Sequence, residues 1–136
     1  MRLFLDSSVL LSATGSVKSL SRLIVTIADE WGWELVTAFY CRDETNRNIV
    51  KFPPKAAKTW RDLQGDLAFT PNALTSKRPL LLTASKDKPV LISALAAKCD
   101  VLLTLDAGDF KSLIDTKVYG MLVNTPRSFL VGQGLR

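Results

Sequence analysis

Asp6, Glu44, Asp87, Asp106 and Asp109 are the residues whose types and placing could do chemistry together. Asp6 ends the apolar run Leu3-Phe4-Leu5, and Asp106 ends a second one, Val101-Leu102-Leu103-Thr104-Leu105. In open α/β sheets, ligands bind in the crevice outside the carboxyl ends of the strands. Two buried strands ending alike in carboxylates therefore point to a shared site. The sequence has no histidine, which excludes Ser-His-Asp and Cys-His relays and most catalytic zinc sites. It also lacks the Gly-x-x-x-x-Gly-Lys-Ser/Thr run of a P-loop enzyme. Oxygen ligands alone suit a hard cation such as magnesium or manganese. One or two such ions make water a usable nucleophile and stabilise the leaving oxygen of a phosphodiester.

Each acid also has an ordinary structural use. Asp6 precedes Ser7-Ser8 and suits a turn or a cap. Ser8 could orient a water or a phosphate oxygen. Glu44 competes with Asp43, because a helix turns about 100° per residue and the two carboxylates cannot face the same way. The residues themselves leave that choice open. Asp87 stands two residues before Pro89, at a helix start, where capping and the macrodipole favour an acid. Asp106 and Asp109 lie three apart in a glycine-containing loop just after Thr104, a good cluster of oxygen ligands or a simple turn.

The elements that must position these residues alternate. A strand is expected over Arg2–Asp6, a short helix through Leu10, Leu11 and Ala13, and a second helix capped by Ser16 with Leu20, Leu23, Ile24 and Ile27 at helical period. Gly32 breaks it. A strand over Trp33–Thr37 leads into a helix over Ala38–Val50. Pro53-Pro54 open another helix to about Leu67, with Ala57, Trp60, Leu63 and Leu67 on one face. Pro79–Thr83 reads as a third strand, and Pro89 begins an apolar helix. Strands over Val101–Leu105 and Met121–Val123 follow, then a turn of helix from Pro126. Nearly uniform apolar strands alternating with helices predict a mostly parallel sheet covered on both faces, a three-layer α/β/α sandwich.

A length of 136 residues fits one domain over 1–136 with a core of its own. No apolar run reaches the roughly 18 residues of a membrane span, and the start is too soon charged for a signal peptide. A cytoplasmic protein without a membrane partner is expected. Cys41 and Cys99 lack metal-type spacing and read as buried, reduced thiols. The net charge of +5 favours a polyanionic partner. Lys51, Lys55, Lys58, Arg61, Lys77 and Arg78 make the middle of the chain basic. Lys55, Lys58 and Arg61 recur every three residues and could form a rim that tracks RNA, or a solvated helix face. Trp31, Trp33 and Trp60 could stack bases, with core packing expected for at least two.

With these residues in hand, the chain resembles the PIN domain family, small metal-dependent nucleases. The resemblance runs over nearly the whole chain. It is strongest in Leu3-Phe4-Leu5-Asp6-Ser7-Ser8, in Lys86-Asp87-Lys88-Pro89-Val90-Leu91-Ile92-Ser93-Ala94-Leu95-Ala96-Ala97, in Asp100–Phe110, and in Val123-Asn124-Thr125-Pro126-Arg127-Ser128-Phe129-Leu130. It implies that Asp6, Glu44, Asp87 and Asp106 are the catalytic acids and metal ligands, with Asp109 as a supporting ligand and Ser8 and Thr104 as supporting polar residues. The Arg47-Asn48 that follows favours Glu44 over Asp43 on that basis alone. It further implies a PIN-like α/β/α fold, one or two Mg2+ or Mn2+ ions, an RNA substrate, and in many small members a toxin paired with an antitoxin protein, often as a homodimer. No acidic position of the pattern is missing.

Two other readings share the residues. One is a catalytically silent PIN-like module that holds RNA or protein. The other is a phosphoryl-transfer protein with Asp6 as nucleophile and Lys86 nearby. Against the latter, Ser8 stands where aspartate-nucleophile phosphatases have their second aspartate.

Overall fold

In a computed structural model, the structure describes residues 1–72, 88–106, 108 and 110–135. The elements are β1 (Arg2–Leu5), α1 (Ser7–Gly15), α2 (Leu20–Trp31), β2 (Glu34–Ala38), α3 (Phe39–Ile49), α4 (Lys55–Gln64), β3 (Ala68–Thr70), α5 (Lys88–Ala96), β4 (Val101–Leu103), β5 (Lys117–Val118), β6 (Met121–Asn124) and α6 (Pro126–Gly132). They form one six-stranded sheet in the order β3-β2-β1-β4-β6-β5. All its pairings are parallel except β5 with β6.

β1 and β4 are the central pair, in register Leu3 to Val101, Phe4 to Leu102 and Leu5 to Leu103. All but Val101 are fully buried, and Val101 nearly so. Strands covered on both faces must be apolar along their whole length, which is why these runs do not alternate. From β1 the chain winds outward to β2 and β3; from β4 it winds the opposite way, to β6. Right-handed crossovers then put α1 to α4 on one face and α5 on the other. α1 packs against α2, α3 and α4, and α6 packs against α2. The reversal of winding lies between β1 and β4.

Local chemistry sets the helix ends. The Ser19 side chain caps α2 by accepting from the Arg22 N–H at 3.1 Å. Ser16, the expected cap, instead ends α1, donating its N–H to the Ser12 carbonyl. Gly32 stops α2 in the left-handed region at φ 70°, as its position predicts. Thr125 and Ser128 form a reciprocal capping box on α6, with Pro126 in its first turn.

Several expectations need correction. The helix from Pro54 ends at Gln64, not Leu67, and it buries Ala56 rather than Ala57. Leu67 is buried in the short link that enters β3. β4 stops at Leu103, so Thr104 and Leu105 lie beyond it. The strand expected at Pro79–Thr83 lies outside the described residues. β3 and β5 were not foreseen. Tyr119 and Gly120, both at positive φ, make the two-residue turn between β5 and β6.

Trp33 and Trp60 are buried and Trp31 is partly exposed, matching the expectation that at least two of the three pack in the core. Trp60 Nε1 also donates to Asn46 Oδ1 at 2.7 Å. Cys41 and Cys99 are buried and unpaired. Burial pushes the Cys41 thiol up to about 12 and the Cys99 thiol up to about 11, so neither is a poised nucleophile. No described helix is long and apolar enough to cross a membrane.

Candidate active site

The reversal between β1 and β4 is where an open α/β sheet is expected to bind ligands. A cleft of about 290 Å³ lies there, lined by Asp6, Ser7, Ser8, Leu11, Tyr40, Glu44, Asn48, Val90 and Asp106. Three of the five expected acids thus share one cleft. Asp87 and Asp109, the other two, lie outside the described residues.

Asp6 follows β1 directly and is buried. Its N–H continues the β1–β4 ladder to the Leu103 carbonyl at 3.1 Å. Its side chain caps α1, with Oδ1 accepting from the Ser7 N–H at 2.8 Å. The capping use and the site therefore coincide. Oδ2 accepts from Thr104 Oγ1 at 2.8 Å and from Ser8 Oγ at 3.1 Å. Thr104 reaches it because the register that pairs Leu5 with Leu103 brings the next residue of each chain side by side. Thr104 Oγ1 in turn accepts from the Asp106 N–H at 3.0 Å, tying the loop after β4 to the same carboxylate. Ser8 Oγ accepts from the Leu105 N–H at 3.0 Å. Its hydroxyl thus braces Asp6 and the loop while Ser8 lines the cleft.

Glu44 is half-buried on α3 and accepts from Ser7 Oγ at 2.7 Å. Ser7 therefore bridges Asp6 and Glu44. The structure resolves the choice between neighbouring acids: Glu44 lines the cleft, whereas Asp43 is exposed and pairs with Arg42 at 3.1 Å. Tyr40, Glu44 and Asn48 stand four residues apart and form the stripe of α3 that faces the cleft. Burial and the nearby Glu44 charge push the Tyr40 phenol above its usual value. Ser7, Tyr40 and Asn48 line the cleft in addition to the expected site residues. The four-residue spacing around Glu44 is the signal that finds Tyr40 and Asn48.

Burial raises the Asp6 carboxyl above its ordinary value, against the lowering effect of hydrogen bonds from Thr104, Ser7 and Ser8; the Glu44 charge adds to the rise. A cation would relieve both causes of that rise. The lining donors are carboxylate, hydroxyl and amide oxygens, which fit a hard divalent ion in kind. Among the described residues, no three His, Cys, Asp or Glu side chains are grouped closely enough to hold a metal ion as they stand. Lys55, Lys58 and Arg61 are all exposed on α4 and do not line the cleft.

No protein-family model matches this sequence, and no curated protein matches it either. Solved structures do match the fold. One is a chain in the crystal structure of VapBC2 from Rickettsia felis bound to a DNA fragment from its promoter. The TM-score is 0.64 at 11% identity, covering 92% of this chain and 98% of that one. At that identity the likeness is one of fold. The class is a mixed α/β fold with a six-stranded, mostly parallel sheet and helices packed on it.

Proposed function

We propose that the protein is a divalent-metal-dependent endoribonuclease that hydrolyses RNA phosphodiester bonds at the cleft between β1 and β4. One observation carries the reading: Asp6, Glu44 and Asp106 line a single cleft at the sheet's winding reversal, in a histidine-free chain of net charge +5. The fold likeness to a chain of VapBC2, together with the sequence resemblance to the PIN domain family, supports it.

In this reading Asp6, Glu44 and Asp106 would hold magnesium or manganese, and Asp87 and Asp109 join them through the sequence resemblance alone. The bound ion would supply Lewis acidity toward a phosphate oxygen. The protein's own part is preorganisation. Thr104 and Ser8 fix Asp6 Oδ2, and Ser7 sets the separation of Asp6 from Glu44. Lys55, Lys58 and Arg61 would hold the strand electrostatically. A role as the toxin of a toxin–antitoxin pair, which the sequence resemblance implies, is supported by the likeness to a chain of VapBC2.

The test is incubation of a mixed pool of end-labelled RNAs with the protein in manganese, magnesium or EDTA. Cutting that needs the metal supports the reading. RNA binding that persists in EDTA, with no cutting in either metal, favours the silent binding module instead.

A further inference from the structure

α3 carries a second feature beside its cleft-facing stripe. Phe39 opens the helix immediately after β2 and remains 38% exposed. Its ring stacks on Phe69 of β3, with centroids 5.9 Å apart and planes inclined by 9°. One turn later the Arg42 guanidinium lies over both rings, 4.8 Å from the Phe39 centroid and 5.8 Å from that of Phe69. The Tyr40 N–H donates to Asn72 Oδ1 at 2.7 Å, which holds the start of α3 to the chain leaving β3. The pair of rings is therefore fixed from both strands.

We infer that Phe39, Phe69 and Arg42 form a platform for one unpaired nucleobase of the substrate RNA, next to the cleft that cuts it. The inference rests on the ribonuclease reading. Three observations carry it. The Phe39 ring, 38% exposed and held in place by Phe69, offers an aromatic surface of the kind on which bases stack. A guanidinium over the rings adds a planar cation that stacks on bases and pairs with phosphate. The platform lies on the same edge of the sheet as the cleft, because β1, β2 and β3 are parallel neighbours and Phe39 and Phe69 stand at the carboxyl ends of β2 and β3. A base on the platform would thus belong to a nucleotide close along the strand to the one whose phosphate enters the cleft. Stacking is tolerant of base identity, so the platform would position the strand rather than read its sequence.

The experiment measures binding of a cleaved RNA oligonucleotide by Asp6→Asn protein, with single abasic substitutions walked along the strand. Adding Phe39→Ala is expected to weaken binding of the intact RNA by roughly 5- to 150-fold. One abasic position beside the cut site should cause a similar loss, and at that position Phe39→Ala should cost nothing further. Phe39→Leu, which keeps apolar contact with Phe69 but has no π face, should behave like Phe39→Ala, and Phe39→Trp should restore binding. Phe39→Leu carries the test if the alanine variant unfolds. Additive losses, or unchanged binding by both variants, would overturn the platform while metal-dependent cleavage by the wild type left the nuclease standing. If the wild type neither binds nor cuts any RNA, both fall. Loss of a protein complex with RNA affinity intact would assign the rings to a protein partner and overturn the inference.

Discussion

Thr104 Oγ1 donates to Asp6 Oδ2 at 2.8 Å, joining the ends of the two central strands across 98 positions of sequence. The same oxygen accepts the Asp106 N–H, so one hydroxyl positions two of the three acids in the cleft. A hydrogen bond to a buried carboxyl contributes on the order of 1–3 kcal/mol, and the Asp106 N–H would lose its acceptor as well. Thr104→Val is therefore expected to lower stability by about 2–3 kcal/mol in urea unfolding, and Thr104→Ser to recover most of it. A valine variant within about 0.5 kcal/mol of the wild type would contradict this role.

The fold disfavours a charge on Asp6 in the absence of a cation. Its carboxyl lies above the ordinary 3.8, chiefly because it is buried. The folded chain keeps this proton where the unfolded chain has lost it. The stabilising contribution is fully present below the unfolded value and is lost as pH rises through the folded one. In EDTA at pH 7, Asp6→Asn is thus expected to raise the Tm, since an amide keeps the α1 cap without the buried charge. The advantage should shrink below pH 4, where the wild-type carboxyl is protonated in both states. Manganese should raise the wild-type Tm and leave the variant unmoved. A variant that melts lower than the wild type at pH 7 in EDTA would show that the charge is not the cost proposed.

The exposed Lys55, Lys58 and Arg61 make a graded prediction. If each contacts one phosphate, replacing all three with alanine should reduce the slope of log affinity against log salt by about 2 on single-stranded RNA. The folded stability should stay within about 0.5 kcal/mol, as expected for surface positions. An unchanged slope would return them to a solvated face of α4.

The central strands and two of the acids on the cleft, Asp6 and Asp106, could be read from the chain because burial on both faces leaves an unmistakable apolar run, ended in each case near a carboxylate. Gly32 and Pro126 mark their helix ends by backbone chemistry that few other residues share. The rest depends on contacts between distant segments. Ser16 and Ser19 are equally good caps in sequence, and only packing of α1 on α2 selects Ser19. β3 is three residues long and borders a helix whose apolar spacing runs on to Leu67, so the sequence blurs them. β5 is two residues long, and its turn uses Tyr119-Gly120 in place of the usual Asn-Gly. Glu44 and Asp43 are separated by the resemblance and by the structure, where Ser7 and Tyr40 engage Glu44, but not by propensity. Ser7 itself is invisible in sequence, since a serine opening a helix is ordinary.

The central claim is that the carboxylates at the ends of β1 and β4 perform the cleavage. The most direct measurement is the single-turnover rate of RNA cutting in manganese for the wild type, Asp6→Asn and Asp106→Asn, each checked for folding by circular dichroism. We expect metal-dependent cutting by the wild type and a fall of at least about 100-fold in each folded variant, the scale on which loss of one group stabilising the transition state acts. Near-normal rates in both folded variants would contradict the account and move the chemistry elsewhere on the molecule.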